Sequence, residues 1–345
     1  MVEVAPRSGE ISIHYWRYIL FLVVLLLIGF IALWSIFGSR WGASNSFMET
    51  FRRYITIVNR FKPSTPPEDN LGSALRIHGL EKLGSKRYAV LFSITDKNGD
   101  PIAVVRPGDV TIKLGDSLSA LQPAVVDQVR PLHMEKSWSD PVSFTNVMDY
   151  SGSMFQEDLR AIEANYSSFI SNIVLPFSSS VIKFSDSVKE ILPLSTNKID
   201  IEAAIKKPIP QENTALYLAV DKGIETVQAR PHLRFLLVAT DGNDNIGGVT
   251  LDDILRRSQQ HYVSLFVLGF GWLDVDLLKR MAEETDGYYV YMPDSSKLKD
   301  WFPKIARIVN NVHVAEISTT TDRNVPFSVS ISVKANGTIL ERQRK

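Results

Sequence analysis

Residues 142–154 read VSFTNVMDYSGSM, and this stretch decides how the middle of the chain folds. It begins with a mostly apolar run, VSFTNVM, which is typical of a buried strand. A carboxylate, Asp149, follows the strand, and two hydroxyls, Ser151 and Ser153, stand two and four positions later. By itself the pattern also fits a turn or a helix N-cap, in which side-chain oxygens accept hydrogen bonds from free backbone N–H groups. The surrounding segments decide between a structural turn and a ligand-binding loop.

Strand-like and helix-like segments alternate from residue 138 to residue 311. The segment EDLRAIEANYSSFISNIV has apolar residues at helical spacing, whereas SSSVIKFS, RFLLVAT and YVSLFVLGFG are apolar runs of strand length. Apolar strands that alternate with helices indicate a mostly parallel sheet covered by helices on both faces. We therefore predict a doubly wound α/β domain over residues 138–311. Pro303 is expected to kink the last helix of this domain or to mark its start.

Segments with a period of two flank the predicted α/β domain. Residues 73–135 contain RYAVLFSITD, an Asn-Gly turn at 98–99 and further short runs, which together predict a small Ig-like β-sandwich. Residues 312–345 contain a second Asn-Gly turn between two strand-like runs. Because an isolated hairpin is only marginally stable in water, we hypothesise that this segment completes the sandwich and that the α/β domain is inserted between the two parts. The residues alone do not distinguish a β-rich spacer from a binding module.

The N-terminal part of the chain contains the apolar segment YILFLVVLLLIGFIALWSIF at residues 18–37. The segment carries no charge, and a helix of this length spans about 30 Å, the thickness of a bilayer's hydrocarbon core. We predict one transmembrane helix over residues 15–37, in contact with the lipid bilayer, after a tail at 1–14. Residues 38–72 are predicted to hold a juxtamembrane or interfacial helix and a Pro-rich linker. Counting basic residues favours a cytoplasmic C-terminal part, but large domains translocate largely regardless of charge, so the side stays open.

Composition argues against several classes of function. The chain has 38 basic and 38 acidic residues and no basic, aromatic-interleaved stripe, so we predict no nucleic-acid partner. It has no cysteine, which excludes disulfides, thiolate metal sites and cysteine nucleophiles. The segment GLEKLGSK at 79–86 resembles a phosphate-binding loop but has Ser and Lys in the wrong order. The six histidines form no i, i+4 pair, and we predict that the protein is not an enzyme.

Three polar loops fall at or near the ends of predicted strands. The first carries Asp149, Ser151 and Ser153, the second carries Thr214 in ENTALY, and the third carries Asp241 in TDGNDN. Ligands of an open parallel sheet bind at the carboxyl ends of its strands, so we expect these side chains to lie together. They supply two carboxylates and three hydroxyls, a set of oxygen ligands that suits Mg²⁺, or Ca²⁺ or Mn²⁺, and not zinc or copper.

These loops, in this order, resemble the metal-ion-dependent adhesion site of von Willebrand factor A (VWA) domains. DYSGSM is similar to the DxSxS loop of the family, NTALY to its threonine loop and ATDGNDN to its third loop, and the resemblance covers about half of the chain. It implies a VWA fold of Rossmann-like type, in which Ser151 and Ser153 bind the cation directly and Thr214 binds it directly or through water. It implies that Asp149 and Asp241 act largely through water and through hydrogen bonds to those hydroxyls. It also implies that an Asp or Glu of a partner protein completes the coordination.

A few positions depart from the common family pattern, among them Asn146, Glu212 and Leu218, and none of these is an expected ligand. We therefore predict a membrane-anchored, divalent-cation-dependent protein-binding module for adhesion or complex assembly. Most membrane-anchored relatives of this type present the domain outside the cytoplasm, and we expect the same of this single-pass chain. The alternatives are a structural subunit of a membrane complex with an incidental metal, and a phosphoryl-transfer enzyme or ATPase partner.

Overall fold

The computed structural model describes residues 72–344 except 153, 155, 210–212, 242–243, 271–273, 293–296 and 323–327. These residues belong to the second of the two compact units of the chain, Met1–Thr65 and Pro66–Lys345. The predicted transmembrane helix at 15–37, the tail before it and the segment at 38–71 lie outside the described residues. Within the described ranges, no helix combines the length and the apolar character needed to cross a bilayer.

The described residues form thirteen strands and six α-helices. The strands are β1 (Ala74–Gly84), β2 (Arg87–Thr95), β3 (Val110–Gly115), β4 (Gln122–Pro131), β5 (Val142–Asp149), β6 (Phe177–Phe184), β7 (Val188–Ser195), β8 (Leu233–Thr240), β9 (Ser264–Phe270), β10 (Tyr289–Met292), β11 (His313–Ser318), β12 (Ser328–Ala335) and β13 (Thr338–Arg344). The helices are α1 (Gln156–Asn172), α2 (Lys198–Lys206), α3 (Leu216–Val227), α4 (Leu251–Gln260), α5 (Val275–Glu283) and α6 (Leu298–Asn310).

A six-stranded sheet in the order β10-β9-β8-β5-β6-β7 forms the middle of the described chain. All neighbouring strands are parallel except β7, which runs antiparallel to β6 at the edge. Every residue of β5, β6 and β8 is buried, which explains why their sequences are continuous runs and do not alternate. The predicted α/β fold with a mostly parallel sheet is confirmed, and β7 makes the sheet mixed.

Two apolar clusters cover the two faces of this sheet. One contains buried side chains of α1, α2 and α6, and the other contains those of α3, α4 and α5. In the first cluster, the rings of Phe144, Phe235 and Phe266 stack across β5, β8 and β9, with centroids 4.8 and 4.9 Å apart. Full burial of each such side chain contributes about 1.5–3 kcal/mol to folding. Pro303 lies inside α6, which begins at Leu298, so the proline does not mark the start of this helix.

A second, seven-stranded sheet has the order β1-β2-β11-β4-β3-β12-β13, and all its pairings are antiparallel. Strand β11 lies between β2 and β4, and β12 pairs with β3, so strands from both sides of the α/β segment share one sheet. Buried side chains from β1, β2, β3, β11 and β12 form one apolar cluster. The Ig-like type and the domain boundaries 73–135, 138–311 and 312–345 remain predictions.

Polar contacts join the seven-stranded sheet to the amino-terminal end of the six-stranded one. The ring nitrogens of His78 lie 2.9 Å from Ser264 Oγ and 2.8 Å from Ser93 Oγ, and Ser93 Oγ is also 2.8 Å from the hydroxyl of Tyr288. Ser264 is the first residue of β9, whereas His78 and Ser93 belong to β1 and β2. Buried polar groups therefore fix the two sheets to each other at the end opposite the predicted metal loops.

Candidate metal centre

Asp149 is the last residue of β5 and is only 1% exposed. Its Oδ1 accepts a hydrogen bond from the backbone N–H of Ser151 at 2.7 Å, and its Oδ2 accepts one from Thr240 Oγ1 at 2.5 Å. Thr240 ends β8, the strand that pairs with β5, and Asp241 follows it directly. The backbone N–H of Asp241 also donates to the Asp149 carboxyl group. This carboxylate therefore joins the first predicted loop to the third.

Burial raises the pKa of Asp149 above its ordinary value, although hydrogen bonds from Ser151, Thr240 and Asp241 oppose the shift. All of these donors are uncharged. Within the described part of the chain, no Lys, Arg or His forms an ion pair with Asp149. A buried carboxylate without a cationic partner is unfavourable, and a bound divalent cation would supply the positive charge. The site therefore fits a cation on physical grounds.

The first loop makes a turn directly after Asp149. The backbone N–H of Tyr150 donates to Phe184 O at 2.7 Å, which extends the contact between β5 and β6 by one residue. The N–H of Met154 donates to Ser151 O at 3.1 Å and closes the turn. Ser151 is buried and also donates to Asp149 through its hydroxyl. The third residue predicted on this loop, Ser153, lies outside the described residues.

The second loop, which carries the buried Thr214, is joined to both of its neighbours. The backbone N–H of Thr214 donates to Asn245 Oδ1 at 2.9 Å, and the N–H of Asn245 donates to Thr214 O at 3.0 Å. The N–H of Ala215 donates to Ser185 O at 2.7 Å, just beyond the end of β6. Of the five predicted residues, the structure therefore describes Asp149, Ser151, Thr214 and Asp241. Asp149 ends β5, and the other three lie on loops near the carboxyl ends of the parallel strands.

Sequence reasoning missed several residues that hold these loops together. Thr240 binds Asp149 across the sheet, and Asn245 holds Thr214. Asp244 accepts a hydrogen bond from the backbone N–H of Tyr217 in the first turn of α3 at 3.0 Å. The signal for Asp244 and Asn245 was their residue type, because Asp and Asn are the usual partners of free N–H groups at helix starts. Thr240 gave no local signal, since its contact depends on β5 and β8 being neighbours.

The described residues contain no group of three or more His, Cys, Asp or Glu side chains that could hold a metal ion. This agrees with the composition of the predicted set, which has only the carboxylates of Asp149 and Asp241. The other three proposed ligands are hydroxyls. In a centre of this kind, the protein neutralises little of the cation's positive charge, so the cation can accept a further anionic ligand.

Residues 145–304 match the family model of the von Willebrand factor type A domain. The match supports the VWA family for this part of the chain. It covers less than half of the 345 residues, and the α/β fold agrees with it. Domains of this family generally mediate protein–protein interactions, and some of them contain a metal-dependent site. A search of curated proteins finds no match.

Several solved structures are similar to this chain at low sequence identity. BatB from Bacteroides thetaiotaomicron has 18% identity over 48% of this chain and 98% of its own, with a TM-score of 0.42. A von Willebrand factor type A protein from Catenulispora acidiphila has 12% identity over 82% and 74%, with a TM-score of 0.44. Proximal thread matrix protein 1 from the mussel byssus, with a zinc-occupied MIDAS motif, has 17% identity over 50% and 48%, with a TM-score of 0.42.

Proposed function

We propose that this chain is a divalent-cation-dependent protein-binding module and not an enzyme. The cation is held by five residues on three loops, namely Asp149, Ser151, Ser153, Thr214 and Asp241. An Asp or Glu of a partner protein then fills the remaining coordination position. The observation that carries this proposal is the buried Asp149 carboxylate, which joins two of the loops and has only uncharged donors around it.

The chemistry of the donors favours Mg²⁺ and also allows Ca²⁺ or Mn²⁺. Carboxylate and hydroxyl oxygens are hard ligands, and Mg²⁺ is commonly held by one or two carboxylates together with water. When bound, the cation supplies a positive charge and an open position for a carboxylate. A partner carboxylate that binds there forms a short, charge-assisted contact away from water, which can dominate the affinity of an interface.

Metal binding is tested by titrating Mg²⁺ or Mn²⁺ into the full chain in detergent. Isothermal titration calorimetry measures the heat of binding, and electron paramagnetic resonance measures the free Mn²⁺. Ser151→Ala removes a proposed ligand, and we expect the Kd to rise at least about tenfold, or 1.4 kcal/mol. Ser143→Ala is the matched control, because Ser143 is a buried serine near the start of β5, at the opposite end of the strand that leads to the Ser151 loop. We expect it to leave the Kd unchanged. Equal affinity in wild type and Ser151→Ala contradicts the proposed site.

The binding role is tested by the effect of chelation on a captured partner. We expect a complex that forms with Mg²⁺, is released by EDTA and is lost in Asp149→Asn. A complex that is indifferent to EDTA favours the structural-subunit alternative. Turnover of a phosphate ester or nucleotide by the purified chain, abolished by Asp149→Asn, favours the enzyme.

We infer further that residues 15–37 anchor the chain in a membrane and that most of it lies outside the cytoplasm. The support is the apolar sequence of residues 18–37, which carries no charge and is long enough for a bilayer. Protease added to intact cells or spheroplasts is expected to digest residues 72–345. Full protection until the membrane is broken contradicts this orientation.

A further inference from the structure

Lys183, in β6, is a lysine whose side chain is completely buried, at 0% exposure. Lysine is almost never fully buried unless its charge is paired. Its ammonium group has three acceptors, the Tyr150 hydroxyl at 2.7 Å, Ile205 O at 2.6 Å and Lys207 O. An ammonium group has three hydrogens to donate, so each of them has a partner here.

The charge of Lys183 is balanced through Tyr150. The Tyr150 hydroxyl accepts from Lys183 and donates to Glu163 Oε1 on α1 at 2.5 Å. The Lys183 ammonium also lies 4.3 Å from the centroid of the Tyr150 ring, within the range of a cation–π contact. Burial lowers the pKa of Lys183 to about 8, and Glu163 opposes this shift. Lys183, Tyr150 and the half-buried Glu163 therefore form one chain of polar contacts.

The two carbonyl acceptors lie at the C-terminal end of α2, where the last carbonyl groups of a helix have no partner within the helix. A positive charge at this end also interacts favourably with the helix dipole. Lys207, directly after α2, stands seven positions before Thr214 in the chain. Lys183 therefore holds the C-terminal end of α2, the helix that precedes Thr214 in the chain, while Asn245 and Ser185 hold Thr214 and Ala215.

The third acceptor, Tyr150, stands between Asp149 and Ser151 on the first loop. One ammonium group thus joins the first loop of the proposed metal centre to the end of the helix that precedes the Thr214 loop, from a position inside the core. Neither the amide of Asn245 nor the hydroxyl of Thr240 does this, because they join other pairs of loops.

We propose that Lys183 is a positioning residue for the cation site, which holds the Tyr150 loop and the C-terminal end of α2, the helix before Thr214, in fixed relative positions without touching the metal. This inference rests on the proposed function, because it needs a cation at that site. Loss of the ammonium is expected to let the Tyr150 loop and the end of α2 move apart, and with them the proposed ligands Ser151 and Thr214. Residues that orient metal ligands affect metal affinity by about 10–100-fold when they are removed.

The test measures the Mg²⁺ affinity of the full chain for Lys183→Met, Tyr150→Phe and the double variant. Methionine has nearly the length of lysine but no donors, and phenylalanine removes only the bridging hydroxyl. We expect each single change to raise the Kd at least about tenfold. We expect the double variant to be no weaker than the worse single one, because both changes break the same link.

Tyr288→Phe is the matched control, because it removes a buried, hydrogen-bonded tyrosine hydroxyl at the opposite end of the sheet. It is expected to lower thermal stability and to leave the Mg²⁺ Kd within about twofold. Amide hydrogen exchange gives a second readout that a general loss of stability would not reproduce. In Lys183→Met, the amides of Thr214 and Ala215 should lose protection without Mg²⁺ and regain it with saturating Mg²⁺.

A wild-type Kd in folded Lys183→Met overturns the positioning role and leaves the proposed function intact. Additive effects of the two changes on the Kd also overturn it. A wild-type chain that does not bind Mg²⁺ overturns the proposed function and this inference with it. If Lys183→Met does not fold, Tyr150→Phe decides the matter by its Kd and by the exchange of Thr214 and Ala215, since unchanged values in both overturn the inference.

Discussion

Asp149 and Asp286 are both 1% exposed, and they lie at opposite ends of the six-stranded sheet. Asp286 is held by two cations, Arg342 Nε at 2.6 Å and Arg344 Nη1 at 3.4 Å. Asp149 has hydroxyl and N–H donors and no cationic side chain in the described part of the chain. The protein thus neutralises Asp286 with its own side chains, whereas under the proposed function a bound cation neutralises Asp149. The difference distinguishes a polar cluster that stabilises the fold from the proposed binding site.

The largest expected effect comes from removing the charge of Asp286 or of Asp149, one at a time, in the metal-free chain. Asp286→Asn leaves Arg344 buried without its counter-ion, and breaking a buried pair in this way costs about 3–5 kcal/mol. Asparagine tolerates the positive φ of 57° at this position, so the backbone is not the cause of the loss. Asp149→Asn removes a buried charge that has no counter-ion, and we expect the free energy of unfolding to be unchanged or higher. Denaturant unfolding in EDTA measures both, and equal losses contradict the contrast.

A second test concerns pH and the end of the sheet that contains His78. Burial, together with Arg344 and Arg76, lowers the pKa of His78 to about 3 from 6.5. The folded state therefore prefers neutral His78, and its contribution is complete above pH 6.5 and is lost as the pH falls towards 3. The loss amounts to at most about 1.4 kcal/mol per pH unit. Unfolding free energies between pH 7 and 4 should fall more steeply in wild type than in His78→Gln.

Asp149 should show the opposite dependence in the metal-free chain. Its pKa is raised above 3.8 by burial, so the folded state binds the proton more tightly than the unfolded state does. Its contribution is present below pH 3.8 and is lost as the pH rises through the folded-state pKa. As the pH rises, the unfolding free energy of wild type should therefore fall relative to that of Asp149→Asn. For His78, the unfolding free energy of wild type should instead rise relative to that of His78→Gln. Parallel pH profiles for the two pairs contradict this assignment.

The sequence predicts the α/β sheet and the metal loops because these features are local. Buried strands such as β5 and β8 are apolar runs, and each is followed directly by its polar loop. Strand β7 was not predicted, because Lys189 and Glu190 are typical of a surface segment. Its residues are exposed or half-exposed in the structure. Its place at the edge of the sheet follows from a reversal of the chain at residues 185–187, which only the pairing with β6 reveals.

Contacts that depend on sheet order could not be predicted. Thr240 binds Asp149 only because β8 lies beside β5, and Lys183 binds Ile205 O only because α2 packs over β6. A lysine within a strand usually indicates a solvent-exposed position, since burial of its charge is costly. The proposed ligands at the strand ends could therefore be predicted from the sequence, whereas the residues that contact and position them could not.

A fourth prediction uses the cation as a ligand that binds only the folded state. With Mg²⁺ at 100 times its Kd, the wild-type chain should gain about 2.7 kcal/mol of unfolding free energy. Asp149→Asn should gain nothing from the same Mg²⁺, whereas Asp286→Asn should gain the full amount from its lower starting point. Thermal or denaturant unfolding with Mg²⁺ and with EDTA measures these differences. A full gain in Asp149→Asn places the cation elsewhere.

The smallest expected effect on stability comes from removing a single side-chain hydrogen bond, either at the Thr214 loop or at an ordinary helix cap. Asn245 Oδ1 accepts from Thr214 N at 2.9 Å, and Asn197 Oδ1 accepts from Ile199 N at 3.0 Å at the start of α2. Each alanine substitution removes one such bond and should cost about 1 kcal/mol. Only Asn245→Ala releases the loop that carries Thr214, so only this variant should also weaken Mg²⁺ binding. If the two variants lose Mg²⁺ affinity equally, Thr214 does not belong to the site, because general destabilisation then accounts for both losses.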